Sequence, residues 1–182
     1  MKRVIVGVTV LVSFLMSSVV LADAYGALTK ARTAMMAAKS WHAEEHTSEG
    51  RTIQLDYVAP DRFRIQATPT MTEVMIGNEV YIVQNGRTMK VPMGGMNIAK
   101  MTKQFQMQDD PEIKKTARDL GMQMLNGRRL HAYSYSVRGT DQTVYLDSDS
   151  LPVQSVIKND SRKTIVDFSK FNESISIEAP AS

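Results

Sequence analysis

Cysteine is absent from the 182-residue chain. That absence excludes a disulfide framework, a thiolate zinc site, an iron–sulfur cluster and a thiol nucleophile. It also excludes a lipidated N-terminal cysteine, so no acyl anchor is expected. An excess of one charge is missing too, with 22 Lys and Arg against 19 Asp and Glu. Phosphate-binding G-x-x-x-x-G-K, dinucleotide G-x-G-x-x-G and nucleophile-elbow G-x-S-x-G patterns do not occur. What remains is ordinary for one globular domain: 43% hydrophobic and 23% charged residues, which excludes a disordered tail or a collagen-like fibre.

The first segment reads as an export signal. Lys2 and Arg3 precede an apolar run from Val4 to Leu21, and Ala22-Asp23-Ala24 supplies a small-x-small cleavage site. Cleavage is expected after Ala22 or Ala24, leaving 23–182 as one domain in the periplasm. Removing Lys2 and Arg3 from the 22 basic residues leaves 20 against 19 acidic ones. A nearly neutral domain has no clustered basic face for nucleic acid, and none is expected as a partner.

Residues 23–39 carry Leu28, Ala31, Met35 and Ala38 at three- and four-residue spacing, which predicts an amphipathic helix. From Trp41 the period changes to alternation. Thr52–Val58 sets Ile53, Leu55 and Tyr57 against Thr52, Gln54 and Asp56, and Phe63 and Ile65 oppose Arg62, Arg64 and Gln66. Gly77-Asn78, Asn85-Gly86 and Asn126-Gly127 mark tight turns, the last being the strongest hairpin signal. Residues 97–121 predict a second helical region, with Asp110-Pro111-Glu112 as a helix start and Gly121 as its close. Further strands are expected to end with Ser174–Glu178, about ten antiparallel strands in all. So long a sheet must curl or split. The expected fold class is α+β: a strongly curved antiparallel sheet forming an incomplete barrel, with helices covering its concave face.

Candidate chemistry is sparse. His42, Glu44 and His46 would share one face of a strand, as metal ligands or as a plain solvated face. Two His without a third ligand at a fixed spacing do not define a metal centre. Nothing nominates a base, its orienting partner and an electrophile stabiliser together, so no enzyme activity and no cofactor are expected. Methionine stands out instead, with 13 in the chain and a run of Met89, Met93, Met96, Met101, Met107, Met122 and Met124. Such residues fill core gaps, wall a deformable apolar cavity, or, as Met93-x-x-Met96, offer thioethers to Cu(I).

The order of features resembles the LolA-like family of periplasmic lipid and lipoprotein carriers, including outer-membrane lipoprotein-sorting-like proteins. The likeness is carried by Ala59-Pro60-Asp61-Arg62-Phe63-Arg64, by Val74 to Tyr81 and by Gly86 to Pro92. It continues with Asn126-Gly127-Arg128 before Tyr133-Ser134-Tyr135, Leu151-Pro152-Val153, and Phe171-Asn172 with Ile175 to Pro180. It implies an open half-barrel with helices plugging its concave face and a cavity for acyl chains. Met89 stands where the family often has Trp, and the extra C-terminal loop and strand of true lipoprotein carriers is missing. The implied ligand is therefore a lipid or another apolar molecule in preference to a lipoprotein.

The expected cavity wall is Trp41, Tyr57, Phe63, Ile65, Met75, Tyr81, Met89, Met96, Met101, Phe105, Met124 and Tyr133. Arg62 and Arg64 are candidates for a phosphate headgroup at its mouth. Helices 23–39 and 97–121 are expected to close the empty cavity, with Gly94-Gly95 and Gly121 as hinges. An envelope membrane protein that loads or receives the ligand is the expected partner. Two other readings stay open: an envelope module docking by a sheet edge, and a copper-handling protein using the Met cluster.

Overall fold

The structure, a computed structural model, describes residues 20–92 and 110–181. Helix α1 (Val20–Ala37) leads into strands β1 (Ser40–Thr47), β2 (Thr52–Val58), β3 (Arg62–Thr68), β4 (Met71–Ile76), β5 (Glu79–Gln84) and β6 (Arg87–Pro92). Helix α2 (Pro111–Thr116) precedes β7 (Arg118–Leu125), β8 (Arg128–Val137), β9 (Thr140–Leu146), β10 (Pro152–Lys158) and β11 (Lys163–Ser169). All eleven strands form one antiparallel sheet in the order β6-β5-β4-β3-β2-β1-β11-β10-β9-β8-β7. Two meanders are thus joined by one long-range pairing, β1 with β11. The sheet is not closed; it is the curved half-barrel expected of a LolA-like fold, with β6 and β7 as its edges.

Turn chemistry explains the hairpins. Asn85-Gly86, Asn126-Gly127 and Arg138-Gly139 each place two successive residues at positive φ, as two-residue turns matching strand twist require. The β7–β8 turn holds a longer arm than the sequence suggested. The helix beginning at Asp110 stops at Thr116, and residues 118–121, expected to be helical, belong to β7. Gly121 is not a helix cap. With φ +71° it sits where the register shifts against β8, and its N–H donates to Asp119 Oδ1. Pairing with β8 outcompetes helix extension here. Thr116 clips the short helix to β8, its hydroxyl donating to the Ser136 carbonyl and accepting from the Ser136 N–H. Residues 97–109 of the expected second helix lie outside the described residues.

Residues 174–178 take no regular secondary structure and pair with no strand, so the last expected strand is replaced by a strap. Its backbone is held by side chains instead. Ser40 donates to the Glu173 carbonyl, Arg62 Nη1 to that of Ile177 and Thr88 to that of Ala181. Ile177 is only 2% exposed.

Period-2 geometry sorts the sheet into two faces. Cross-strand register places Trp41, Tyr57, Phe63, Met75, Val80 and Val91 in one row of the inner face. His42, Asp56, Arg64, Val74, Tyr81 and Lys90 form the neighbouring row of the outer face. Helix α1 lies on the inner face through its apolar stripe. Ala24, Leu28 and Ala31 pack with Ile113, Ala117, Tyr133, Tyr135 and Leu146, while Met35 and Ala38 pack with Trp41, Ala43 and Tyr57. Each large side chain so covered contributes roughly 1.5–3 kcal/mol relative to exposure.

Candidate functional site

Beneath the C-terminal half of α1 the packing is incomplete. A cavity of about 450 Å³ separates the helix from the inner face. That volume lies within the roughly 300–1,000 Å³ usual for small-molecule sites. The helix contributes Arg32, Met35 and Met36, and the floor is Trp41, Tyr57, Phe63 and Phe168. The rings meet as an aromatic cluster, Trp41 with Tyr57 at 5.4 Å and Tyr57 with Phe63 at 4.8 Å between centroids. Leu55, Ile157 and Val166 complete an almost wholly apolar wall. A second hollow of about 290 Å³ shares Arg32, Met35, Gln142, Ser155 and Phe168 with the first and continues it toward Leu28 and Tyr135.

Few polar groups reach this space. Gln142 is committed at both ends: its Oε1 accepts from the Tyr135 hydroxyl and its Nε2 donates to Ser155 Oγ at 2.6 Å. Burial pushes the Tyr135 phenol up to about 12, so it stays a neutral donor. The Tyr57 hydroxyl is raised by burial and by the nearby Asp61 carboxylate, and it donates to the Pro60 carbonyl. Trp41 Nε1 is buried with no hydrogen-bond acceptor.

Of the residues expected to wall the cavity, Trp41, Tyr57 and Phe63 line it. Ile65 and Met75 lie on the same face, and Met75 is buried, yet neither lines the cavity. Tyr133 packs in the core under the other end of α1, where it borders a separate, more polar hollow with Gly26, Ala27, Lys30 and His131. Met89 and Met124 stand on the inner sides of the two edge strands, 51% and 68% exposed. Tyr81 is on the outer face, because its partners across the register are Val74 and Lys90. Met96, Met101 and Phe105, together with Met93 and Gly94-Gly95, lie outside the described residues.

The two headgroup candidates are also on the outer face and already engaged. Arg62 holds the strap at Ile177, and Arg64 donates to Asp56 Oδ2 at 2.7 and 2.9 Å and to the Ser176 carbonyl. Burial raises the Asp56 carboxyl, but hydrogen bonds from His42 and Arg64 outweigh it and hold the group below its usual value. Along β1, His42 Nε2 is 3.5 Å from one Glu44 oxygen and His46 Nε2 3.7 Å from the other. The two imidazoles straddle the carboxylate because residues four apart on a strand are separated by roughly 13 Å. Among the described residues, no three His, Asp or Glu side chains are placed to hold a metal ion.

Residues missed in the sequence are those that depend on long-range pairing. Val166 and Phe168 reach the cavity only because β11 pairs with β1, and Gln142, Ser155 and Ile157 follow through β10 and β9. Arg32 carried no signal, since a basic residue beside an apolar stripe reads as solvated. Leu55 was legible, sharing its face with Tyr57.

No protein-family model and no curated protein matches the chain. Solved structures do. The Mycobacterium tuberculosis lipoprotein LppX superposes with a TM-score of 0.64 at 12% identity, covering 86% of this chain and 98% of its own. LprF from Mycobacterium bovis gives 0.56 at 13% identity, with 88% and 98% covered. A conserved protein of Thermus thermophilus gives 0.51 at 14% identity, with 84% and 90% covered. At such identities the likeness establishes the fold: a half-barrel sheet spanning nearly the whole of each neighbour.

Proposed function

We propose that the protein is a non-enzymatic, extracytoplasmic carrier that shields a hydrophobic ligand between α1 and the inner face of the half-barrel. The observation carrying this reading is the 450 Å³ apolar cavity under a helix packed through Met35, Met36 and small residues. Each methylene moved from water into such a site gains about 0.8 kcal/mol. A binding protein must supply that gain to hold a lipid outside a membrane. Methionine side chains suit the task, because they are unbranched and adapt to the occupant. The export signal read in residues 1–22 supports a location in the periplasm, where such a carrier would be useful. Among the described residues no helix is long and apolar enough to span a membrane.

A donor or acceptor protein in the envelope would meet the unpaired edges. Strand β7 offers Leu120, Met122 and Met124 at 42%, 48% and 68% exposure, a margin suited to transient strand pairing.

The chain has one tryptophan, and it lines the cavity. Titration with methyl palmitate is expected to change Trp41 emission saturably at one equivalent. Val166→Phe, which fills the cavity without adding charge, is expected to weaken this binding at least tenfold while circular dichroism stays unchanged. Full binding by that variant places the ligand elsewhere, and no emission change in the parent protein removes the carrier reading.

A further inference from the structure

We propose that the protein has a second binding site, for the phosphate group of a phosphomonoester, in the hollow between the N-terminal half of α1, strand β8 and the β9–β10 turn. This site goes beyond the carrier reading and does not depend on it.

The hollow measures about 500 Å³ and has three sides. Helix α1 buries Ala24, Leu28 and Ala31 against the sheet, which leaves Gly26, Ala27 and Lys30 on the flank that borders the hollow. Alternation along β8 sets Arg129, His131 and Tyr133 in one row of the inner face. The turn from Asp147 to Ser150 closes the third side. It is fixed by Asp147 Oδ1, which accepts from the N–H groups of Asp149 and Leu151, both at 2.9 Å.

The acids here are committed and the cations are not. Asp147, the one acid in the wall, holds those two N–H groups on a single oxygen. Asp119 accepts from His131 Nε2 at 2.6 Å and from the Gly121 N–H. Among the described residues, neither Lys30 nor Arg129 has an acid within ion-pair distance. Both side chains are exposed, so a ligand entering from solvent reaches them. Ser148 and Ser150 line the same space, and their hydroxyls make no hydrogen bond among the described residues.

A phosphate monoester brings nearly two negative charges and three strong acceptor oxygens. A guanidinium fork and an ammonium can share those oxygens through charge-assisted hydrogen bonds, with the serine hydroxyls beside them. A carboxylate offers less charge and one oxygen fewer, and a cationic ligand meets two like charges. The body of the ester has a flat wall to lie against. The His131 and Tyr133 rings stack at 4.6 Å with 8° between their planes, and Met122 continues that side.

Amide chemical shifts of the protein, followed by nuclear magnetic resonance during titration, test this with glycerol 3-phosphate, dihexanoyl phosphatidic acid and acetate. Glycerol 3-phosphate is expected to shift Lys30, Arg129, Ser148 and Ser150 saturably and to leave the Trp41 indole unmoved. Acetate should bind at least fivefold more weakly. Dihexanoyl phosphatidic acid binding about tenfold tighter marks the ester as a lipid headgroup, and equal affinity marks it as a free metabolite; both support the site. Lys30→Gln and Arg129→Gln are each expected to weaken glycerol 3-phosphate about fivefold. Arg128→Gln removes the same charge from the opposite face of β8 and is expected to change affinity less than twofold. Equal weakening in all three variants reduces the effect to net charge and overturns the site, as does the lack of any saturable shift. Trp41 emission with methyl palmitate reads the carrier cavity separately, so either proposal can fail alone.

Discussion

Asp56 carries the largest electrostatic load on the outer face. It is 9% exposed and accepts from His42 Nδ1 at 2.8 Å and from both donors of Arg64. The sign of its linkage follows from its lowered folded value. The associated stability is present above the unfolded carboxyl value near 3.8 and is lost as pH falls through the lower folded value. Asp56→Asn removes the charge, and with Arg64 partly exposed the expected cost is about 1–2 kcal/mol at pH 7. In urea denaturation the gap between variant and parent should narrow below about pH 4; a constant gap at all pH values would show that packing, not charge, sets it. The same residue explains why Arg64 was misplaced by sequence reasoning. An arginine alternating with apolar residues announces its face, but its partner across the register is visible only once β2 and β3 are paired.

At the scale of elements, the strap after β11 performs work that regular structure performs elsewhere. It crosses the outer face from Ser40 on β1 to Thr88 on β6 without joining the ladder. Four side chains of the sheet, Ser40, Arg62, Arg64 and Thr88, accordingly donate to its carbonyls, which would otherwise be left unpaired against the protein. Ile177 fixes it from the apolar side. Ile177→Ala is expected to cost about 2–4 kcal/mol, read as a lowered melting temperature. A change within 0.5 kcal/mol would make the strap an ornament. The sequence was informative here in composition and uninformative in role: alternation over Ser174–Glu178 suits a strand, and only the absence of a free edge beside it makes it a strap. Helix α2 teaches the converse. Asp110-Pro111-Glu112 announced its start correctly, since capping is local chemistry, with Asp110 accepting from the Glu112 N–H. Its end was set by a competitor, the hairpin arm reaching back from Asn126-Gly127.

For the whole molecule, the decisive contact is β1 with β11, which joins residues more than a hundred positions apart into the floor of the cavity. Each meander alone leaves one half of that floor unbuilt. Stability is therefore expected to be highest at the centre of the sheet and lowest at its edges. Hydrogen exchange read by mass spectrometry should find the amides of β1 and β11 exchanging only with global unfolding and those of β6 and β7 exchanging by local opening. Equal protection of β6 and β1 would contradict the open-edge architecture. Exposed Met89 and Val91 on one margin and Met122 and Met124 on the other mark the two limits of the inner face.

Local chemistry was enough to determine the leading helix, its Leu28–Met35 stripe, the alternation of β2 and β3, the two-residue turns and the curved-sheet class. These are legible because periodicity and turn propensity act between residues a few positions apart. Which faces are inner, which strands close on β1, and which side chains surround an unfilled space were decided by tertiary structure. Register is a property of pairs of strands, and a cavity is what remains after every pair has been set; no single segment encodes either.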